Sequence, residues 1–457
     1  MAKIAIVGGG MSGLSLAVHL KRLKPEWELA VFESEPRPGG KAWTIREDGF
    51  KVEYGVNGIL DNKPHTLELA GMVGAEILRS NDAARRRYVV KRGRLVKLPE
   101  SPKEFLTSPL LSFEAKLRVV MESIIPKGNM EKDESLASFA RRRLGKEAFQ
   151  YLIDPMASGI YAGDPEKLSL KSCFPRIHEL EKEYGSLIRA MIKLQRKAKK
   201  EGRGGPGAGP GGTLTSFKNG MEELVEACAQ ELGSSLRTNT KVVGIDRESG
   251  LWKIELGDGT YEEASHLVLA AQAKACAGLI KNINPDIASL LESIQYPPIA
   301  VAAFAFKTSA LLRPLDGFGF LCPWVEGRKI LGALWDSSVF KYRAPDGYSL
   351  IRVLAGGARR PEVAGYRKER LVDTVLKELN DIMGISARPE AIWLHVWPHA
   401  IPQYQVGYSS LLESIEKERK KMPNIFFRCN WVGGVSLNDC VANSKALAYS
   451  LSGSKAQ

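Results

Sequence analysis

The sequence predicts a mixed α/β protein built around a parallel sheet, with further sheet and a long helical stretch added to it. Three observations predict this class. A strand-like run, Ile4-Ala5-Ile6-Val7, enters a glycine-rich turn and then a helix with Leu16, Leu20 and Leu23 on one face. Alternating or fully apolar runs return from residue 238 to 271 and from 299 to 357. Between about 93 and 205 the chain reads helical and basic, with few strand signals.

Taken in order, the first helix stops at Pro25, and residues 29–32 form the second strand. Residues 135–144 are representative of the helical stretch, where a serine start is followed by Leu136, Phe139, Ala140 and Leu144. From Arg196 to Gly212 the sequence RKAKKEGRGGPGAGPGG holds no aromatic or branched aliphatic residue, so a flexible linker is expected there. Residues 238–245 and 252–256 alternate like strands, Asp258-Gly259 is a hairpin turn, and 267–271 reads as a buried strand. Strands are expected at 299–306, 330–335 and 350–354, then a helix over 368–383. A strand at 425–427, a turn at Gly433-Gly434 and a helix over 439–451 close the chain.

With 457 residues, 44% of them hydrophobic, the chain has core enough for two or three domains, which excludes a peptide hormone or a lone binding module. Sixty-five basic against 52 acidic side chains leave +13, favouring an anionic substrate or surface. No nucleic-acid-binding motif accompanies that charge, so nucleic acid is not expected as a partner. Cys173, Cys228, Cys276, Cys322, Cys429 and Cys440 are scattered singly, as in a reduced, cytoplasmic protein. The strand begins too early to leave room for a signal peptide, and no 18-residue apolar run spans a bilayer. Peripheral membrane attachment stays open. The cluster from Lys182 to Arg203 reads first as a solvated helix face and second as a contact for anionic lipid.

The chemistry concentrates in Gly8-Gly9-Gly10-Met11-Ser12-Gly13, a G-x-G-x-x-G pattern between strand and helix, with Glu33 ending the next strand. Gly8 permits the tight turn, Gly10 lets the backbone approach a pyrophosphate, and Gly13 lets helix and strand pack closely. The helix N-terminus supplies amide donors to the anion, and Glu33 accepts ribose hydroxyls. A glycine turn in some other parallel sheet would leave Glu33 unexplained. His395 and His399 are four apart with Pro398 between them, which breaks any helix aligning them, so no metal site is expected.

After Ser34, the segment Arg37-Pro38-Gly39-Gly40-Lys41-Ala42-Trp43-Thr44 resembles the R-x-G-G-R segment of the flavin amine oxidase superfamily, with Lys41 where arginine is usual. Ser158-Gly159-Ile160-Tyr161-Ala162-Gly163-Asp164-Pro165, Gly317-Phe318-Gly319 and Ile401-Pro402-Gln403-Tyr404-Gln405-Val406-Gly407 are similar to segments of the protoporphyrinogen oxidase family. So is Gly434-Val435-Ser436-Leu437-Asn438-Asp439-Cys440 near the end.

The resemblance implies a Rossmann-like FAD-binding domain (1–60, 210–282, 420–457), a β-sheet substrate domain (61–92, 283–419) and a helical domain (93–209) suited to a membrane surface. It implies non-covalent FAD held by the residues above together with Gly55, Val242 and Val435 to Leu437. The positive end of the last helix would face the flavin's pyrimidine edge. The activity implied is removal of six electrons from a porphyrinogen, protoporphyrinogen IX or alternatively coproporphyrinogen III, with dioxygen as acceptor, in haem biosynthesis. Gly159 would offer a carbonyl to the pyrroles, and Phe318, Leu321 and Leu354 would wall the macrocycle. Asn57 stands where the family has a propionate-binding arginine, so it can hydrogen-bond a carboxylate without neutralising it. No side-chain general base is assigned, because the cofactor does the redox chemistry. An amine oxidase or desaturase, and a non-catalytic flavin- or porphyrin-binding protein, are the competing readings. A homodimer stays open.

Overall fold

The uncharged run after Lys3 forms the strand Lys3–Val7, buried on both faces as a central parallel strand must be. Its neighbours are Glu28–Phe32 and His266–Leu269, flanked in turn by Leu236–Arg237 and Ile425–Phe427, and every pairing is parallel. In this computed structural model, which describes residues 2–200 and 212–454, the chain divides into two units. The first comprises Met1–Arg79, Thr213–Gln295 and Ser410–Gln457, and the second Ser80–Gly212 and Tyr296–Ser409.

In the first unit the helices Met11–Leu23, Glu222–Leu232 and Leu437–Ser452 share an apolar core with the sheet, in which Ile6, Leu14, Val18, Leu224, Val268 and Val441 are buried. The expected strand at 238–245 is interrupted: residues 238–241 separate Leu236–Arg237 from Val242–Glu248, with Asn239 in the left-handed region at φ 51°. That bend moves Thr240 beside the sheet, where its N–H donates to the Glu33 carbonyl at 2.8 Å. Val242–Glu248, Leu251–Leu256 and Tyr261–Ala264 then form an antiparallel meander, turning at Asp258-Gly259. The last helix starts at Leu437, two residues before the expected Asp439, because Ser436 is its N-cap and accepts the Asp439 N–H at 3.1 Å.

The second unit contains, among the described residues, a seven-stranded sheet ordered Ala391–Trp397, Ile299–Lys307, Tyr348–Gly356, Ile330–Leu334, Gly319–Leu321, Arg87–Lys91 and Arg94–Lys97. Helix Lys368–Met383 covers one face through Leu371, Val375, Leu379 and Ile382, against Phe304, Phe320, Ile351 and Val353. The strand at Arg94–Lys97 corrects the helical reading of that stretch. Arg92 and Gly93, both at positive φ, turn the chain back into a hairpin. His395 lies in the strand Ala391–Trp397, so it and His399 share no helix.

Helices follow from Pro102–Thr107 to Leu187–Lys200. They enclose a buried ionic cluster in which Arg143 pairs with Glu122 and Glu181, all three fully buried. Burial pushes the Glu122 carboxyl up, but the Ser186 hydroxyl, the Leu187 and Ile188 amides and Arg143 outweigh it and hold it below its ordinary value. Those two amides open helix Leu187–Lys200, so Glu122 also caps it. The helix corrects the near end of the expected linker, since it continues to Lys200, and residues 201–211 lie outside the described residues.

Candidate functional site

Local backbone geometry explains the glycines. Gly8 has φ 113°, and a Cβ on Gly13 would stand 2.0 Å from the Gly8 carbonyl oxygen, so helix Met11–Leu23 can start against the strand only with glycine at both positions. Gly10 differs: a Cβ there would meet nothing within 4 Å, because Gly10 faces the open space of a cavity of about 760 Å³. That volume falls within the roughly 300–1,000 Å³ of small-molecule sites.

The cavity gathers residues from distant parts of the first unit. Gly8, Gly10, Met11 and Ser12 line it with Glu33 and Ser34, and with Gly39, Gly40, Lys41 and Ala42. Val242, Val435 and Leu437 complete the expected set. The Glu33 carboxylate is fixed by the Gly9 N–H at 2.8 Å and the Glu35 N–H at 2.9 Å. The second glycine turn is tied to the first by the Gly39 N–H donating to the Gly9 carbonyl at 2.7 Å.

Gly13, Arg37, Trp43, Gly55, Gly434 and Ser436 act behind the lining. Arg37 donates to the carbonyls of Pro38, Gly40 and Ala42 and to Glu222, and lies 4.6 Å from the Trp43 ring centroid. Its guanidinium therefore holds the glycine turn in shape. A Cβ on Gly55 would stand 1.9 Å from the Lys41 carbonyl oxygen, so glycine there allows the two loops to touch. Both polar atoms of the Asn57 amide are buried and make no protein hydrogen bond, an arrangement that costs about 1–3 kcal/mol per atom unless a ligand supplies partners. Burial lowers Lys41 from 10.5 to about 8, with the neighbouring Cys429 and Cys440 thiols opposing the shift.

Lining residues that the motifs do not mark include Thr240, Lys241, Ala271, Gln272, Cys429 and Asn430. They lie at the carboxyl ends of parallel strands or in the loops leaving them, where doubly wound sheets bind ligands. The end of the 425–427 strand was the available signal for Cys429 and Asn430.

In the second unit, Leu321 pairs with Gly332, and Gly332 with Leu354, so the two leucines flank a position without a side chain. Strand alternation places both opposite the core face that holds Phe320 and Val353. Gly159, in the last turn of helix Asp154–Tyr161, packs so closely that a Cβ would come 2.9 Å from Leu321 Cδ2. Carbonyls of a last turn have no intrahelical donor, which leaves them for other partners. Phe318 precedes the strand and faces Arg87, 5.5 Å from its ring centroid.

The family model for flavin-containing amine oxidoreductases matches residues 11–448. The chain belongs to that family. This flavoprotein is 30% identical over 464 residues to the coproporphyrinogen III oxidase of Bacillus subtilis (strain 168), covering 97% of this chain and 96% of that one. It is also 30% identical to protoporphyrinogen oxidase 2, chloroplastic/mitochondrial, of Arabidopsis thaliana, covering 96% and 92%. A solved structure from Exiguobacterium sp. 255-15, provisionally named a protoporphyrinogen oxidase, superposes with TM-score 0.85 at 25% identity over 99% of this chain and 98% of that one.

The flavoprotein is an FAD-dependent oxidoreductase, and its cavity suits that cofactor on its own chemistry. It offers an open glycine where a pyrophosphate approaches, a fixed carboxylate for a ribose, and one desolvated amine for an anion. Among the described residues no cluster of three or more metal-ligating side chains occurs, and no helix is long and apolar enough to cross a membrane.

Proposed function

We propose that this flavoprotein oxidises a porphyrinogen to the porphyrin in haem biosynthesis, with protoporphyrinogen IX as substrate and dioxygen as final acceptor. The observation that carries the reading is the apolar face formed by Leu321, Gly332 and Leu354, with the last turn of helix Asp154–Tyr161 pressed against it at Gly159. A flat macrocycle needs such a wall, and its pyrrole N–H groups need an acceptor beside it. A second reading, coproporphyrinogen III, is favoured by the near full-length relatives that carry that name.

When bound, FAD supplies the electron-accepting chemistry. The chain's own residues then have separable tasks. The amides of the 8–13 turn and the N-terminus of helix Met11–Leu23 hold the pyrophosphate, Lys41 neutralises charge there, and Glu33 accepts the ribose hydroxyls. The N-terminus of helix Leu437–Ser452 directs positive potential into the cavity at Val435 and Leu437. Leu321 and Leu354 exclude water from the macrocycle, and the Gly159 carbonyl accepts a pyrrole proton donor.

An anionic membrane surface is part of the same proposal. Leu106, Phe113, Leu117, Val120 and Ile124 are exposed on Pro102–Thr107 and the adjoining 113–124 helical stretch, Phe113 to 80%, with Lys103 and Lys116 but also Glu104 and Glu114 among them. Exposed apolar anchors on a chain of net charge +13 suit an anionic bilayer, from which a poorly soluble porphyrin is handled. Flotation with phosphatidylglycerol but not phosphatidylcholine vesicles, lost in Phe113→Ser/Leu117→Ser, is the expected result.

Activity is tested by adding protoporphyrinogen IX, coproporphyrinogen III or a panel of amines to the yellow enzyme without oxygen. Bleaching of the flavin band by a porphyrinogen, followed by porphyrin fluorescence on admitting oxygen, supports the reading. Bleaching by amines alone, or by nothing offered, overturns it.

A further inference from the structure

Two consecutive arginines in the second unit, Arg359 and Arg360, place their guanidinium carbons 4.8 and 4.4 Å from the ring centroid of one indole, Trp324. Stacking two cations on one ring is favourable only if their mutual repulsion is relieved. Arg359 has its relief: it donates to Asp154 at 2.6 Å and to the Ser158 hydroxyl at 2.7 Å. Asp154 is itself buried and also accepts the Trp324 backbone N–H at 2.8 Å, so one carboxylate fixes both the backbone that carries the indole and the first arginine.

Arg360 has no counterpart to Asp154. Among the described residues no carboxylate lies within ion-pair range of it, and its Nε is buried without a hydrogen-bond acceptor. Both arginines line a small cavity of about 20 Å³ with Ser158, Cys322 and Trp324, enough for one water or one carboxylate oxygen. Arg328, also on its lining, is already paired with Glu378 and Asp381 at 3.2 Å each.

The cavity shares helix Asp154–Tyr161 with the apolar wall described above: Ser158 lines the cavity and precedes Gly159, which packs on Leu321 in the wall, whereas Cys322, like Phe320, turns to the core face. A porphyrinogen lying on that wall carries side arms that each end in a carboxylate.

We infer that Arg360 binds a propionate carboxylate of the porphyrinogen, with Trp324 and the Arg359–Asp154 pair as positioning residues. The inference rests on the proposed porphyrinogen reading and supplies the cation that Asn57 does not. Since a propionate is bound alike before and after oxidation, coproporphyrin III, an oxidised porphyrin bearing propionates, serves as an equilibrium probe.

The test compares coproporphyrin III with its tetramethyl ester, which has no carboxylate, by absorbance titration in detergent against FAD-loaded wild type, Arg360→Met and Arg360→Lys. Methionine keeps the apolar stem on Trp324, and near-ultraviolet circular dichroism checks that packing. The expected result is about a tenfold rise in Kd for the acid in Arg360→Met, a change within about twofold for the ester, and partial recovery in Arg360→Lys, which keeps charge but not the fork. Equal weakening of acid and ester would assign Arg360 a packing role and overturn the inference. So would unchanged acid binding in Arg360→Met, whether or not wild type binds inorganic phosphate through Arg360, since that pattern marks a free-anion site. Wild type that binds neither of these porphyrins nor protoporphyrin IX refutes the porphyrinogen reading itself, and the inference with it.

Discussion

Gly10 and Gly13 belong to one motif, but the structure assigns them opposite sensitivities to the same substitution. In Gly10→Ala the new methyl meets no atom within 4 Å, and the backbone at φ −71°, ψ 173° is one that alanine adopts freely. The loss of unfolded-state entropy stabilises by about 0.4–1 kcal/mol. Alanine is the poorer N-cap by a similar amount, so apoprotein stability stays within about 0.5 kcal/mol of wild type. The methyl instead projects into the cavity where the pyrophosphate approaches. Displacing a phosphate oxygen from one amide donor costs about 1.5–3 kcal/mol, which weakens FAD binding roughly 10- to 150-fold. In Gly13→Ala the methyl would stand 2.0 Å from the Gly8 carbonyl oxygen and 3.3 Å from Ile6 Cγ2, so strand and helix must separate and the apoprotein itself loses about 1–3 kcal/mol or more. Quenching of free FAD fluorescence on titration with apoprotein, beside thermal melts of the same apoproteins, separates the two effects. If Gly10→Ala binds FAD as tightly as wild type, the 8–13 turn is not the pyrophosphate cradle and the reasoning fails.

Other outcomes follow from individual side chains. Lys41 titrates at about 8 in the fold against 10.5 when free, so between those values the unfolded chain holds a proton that the folded apoprotein has released. Apoprotein stability therefore rises with pH across that window, and FAD binding near about pH 9 takes up a proton because the pyrophosphate restores the cation. Calorimetry in buffers of different ionisation enthalpy should show this uptake in wild type and not in Lys41→Met. Asn57→Leu removes two buried, unsatisfied polar atoms, so it should leave the apoprotein as stable or more so while porphyrinogen turnover falls. A less stable apoprotein with normal turnover would refute a ligand role for Asn57. Glu122→Gln strips the charge from a fully buried partner of Arg143 and should cost about 3–5 kcal/mol in denaturant melts, whereas exposed Glu166→Gln, which removes an Arg141 partner, should cost under about 1 kcal/mol.

Much of this architecture was legible because local chemistry dictated it. Gly8 to Gly13 with Glu33 spells out a strand, a turn, a helix and an acid, each needed by its neighbour along the chain, and the structure places them around one cavity. Helix Lys368–Met383 appears over the residues its periodicity predicts, since its apolar stripe and Gly384 stop are both local signals. Neither signal depends on a distant partner.

What depended on distant partners was decided only by the tertiary structure. The break between Leu236–Arg237 and Val242–Glu248 arises because residues 238–241 bend to bond with Glu33, two hundred positions away in the chain. The strand at Arg94–Lys97 is only four residues long, with Leu95 and Val96 between two cations, and becomes extended by pairing with Arg87–Lys91. Arg37 is expected from the resemblance to help hold the cofactor, yet folding surrounds it with carbonyls that consume its donors. Burial and orphaned hydrogen bonds cannot be read from composition, because they are properties of what surrounds a group. The desolvated amine of Lys41, the unsatisfied amide of Asn57 and the uncompensated guanidinium of Arg360 came into view for that reason only once the chain was folded.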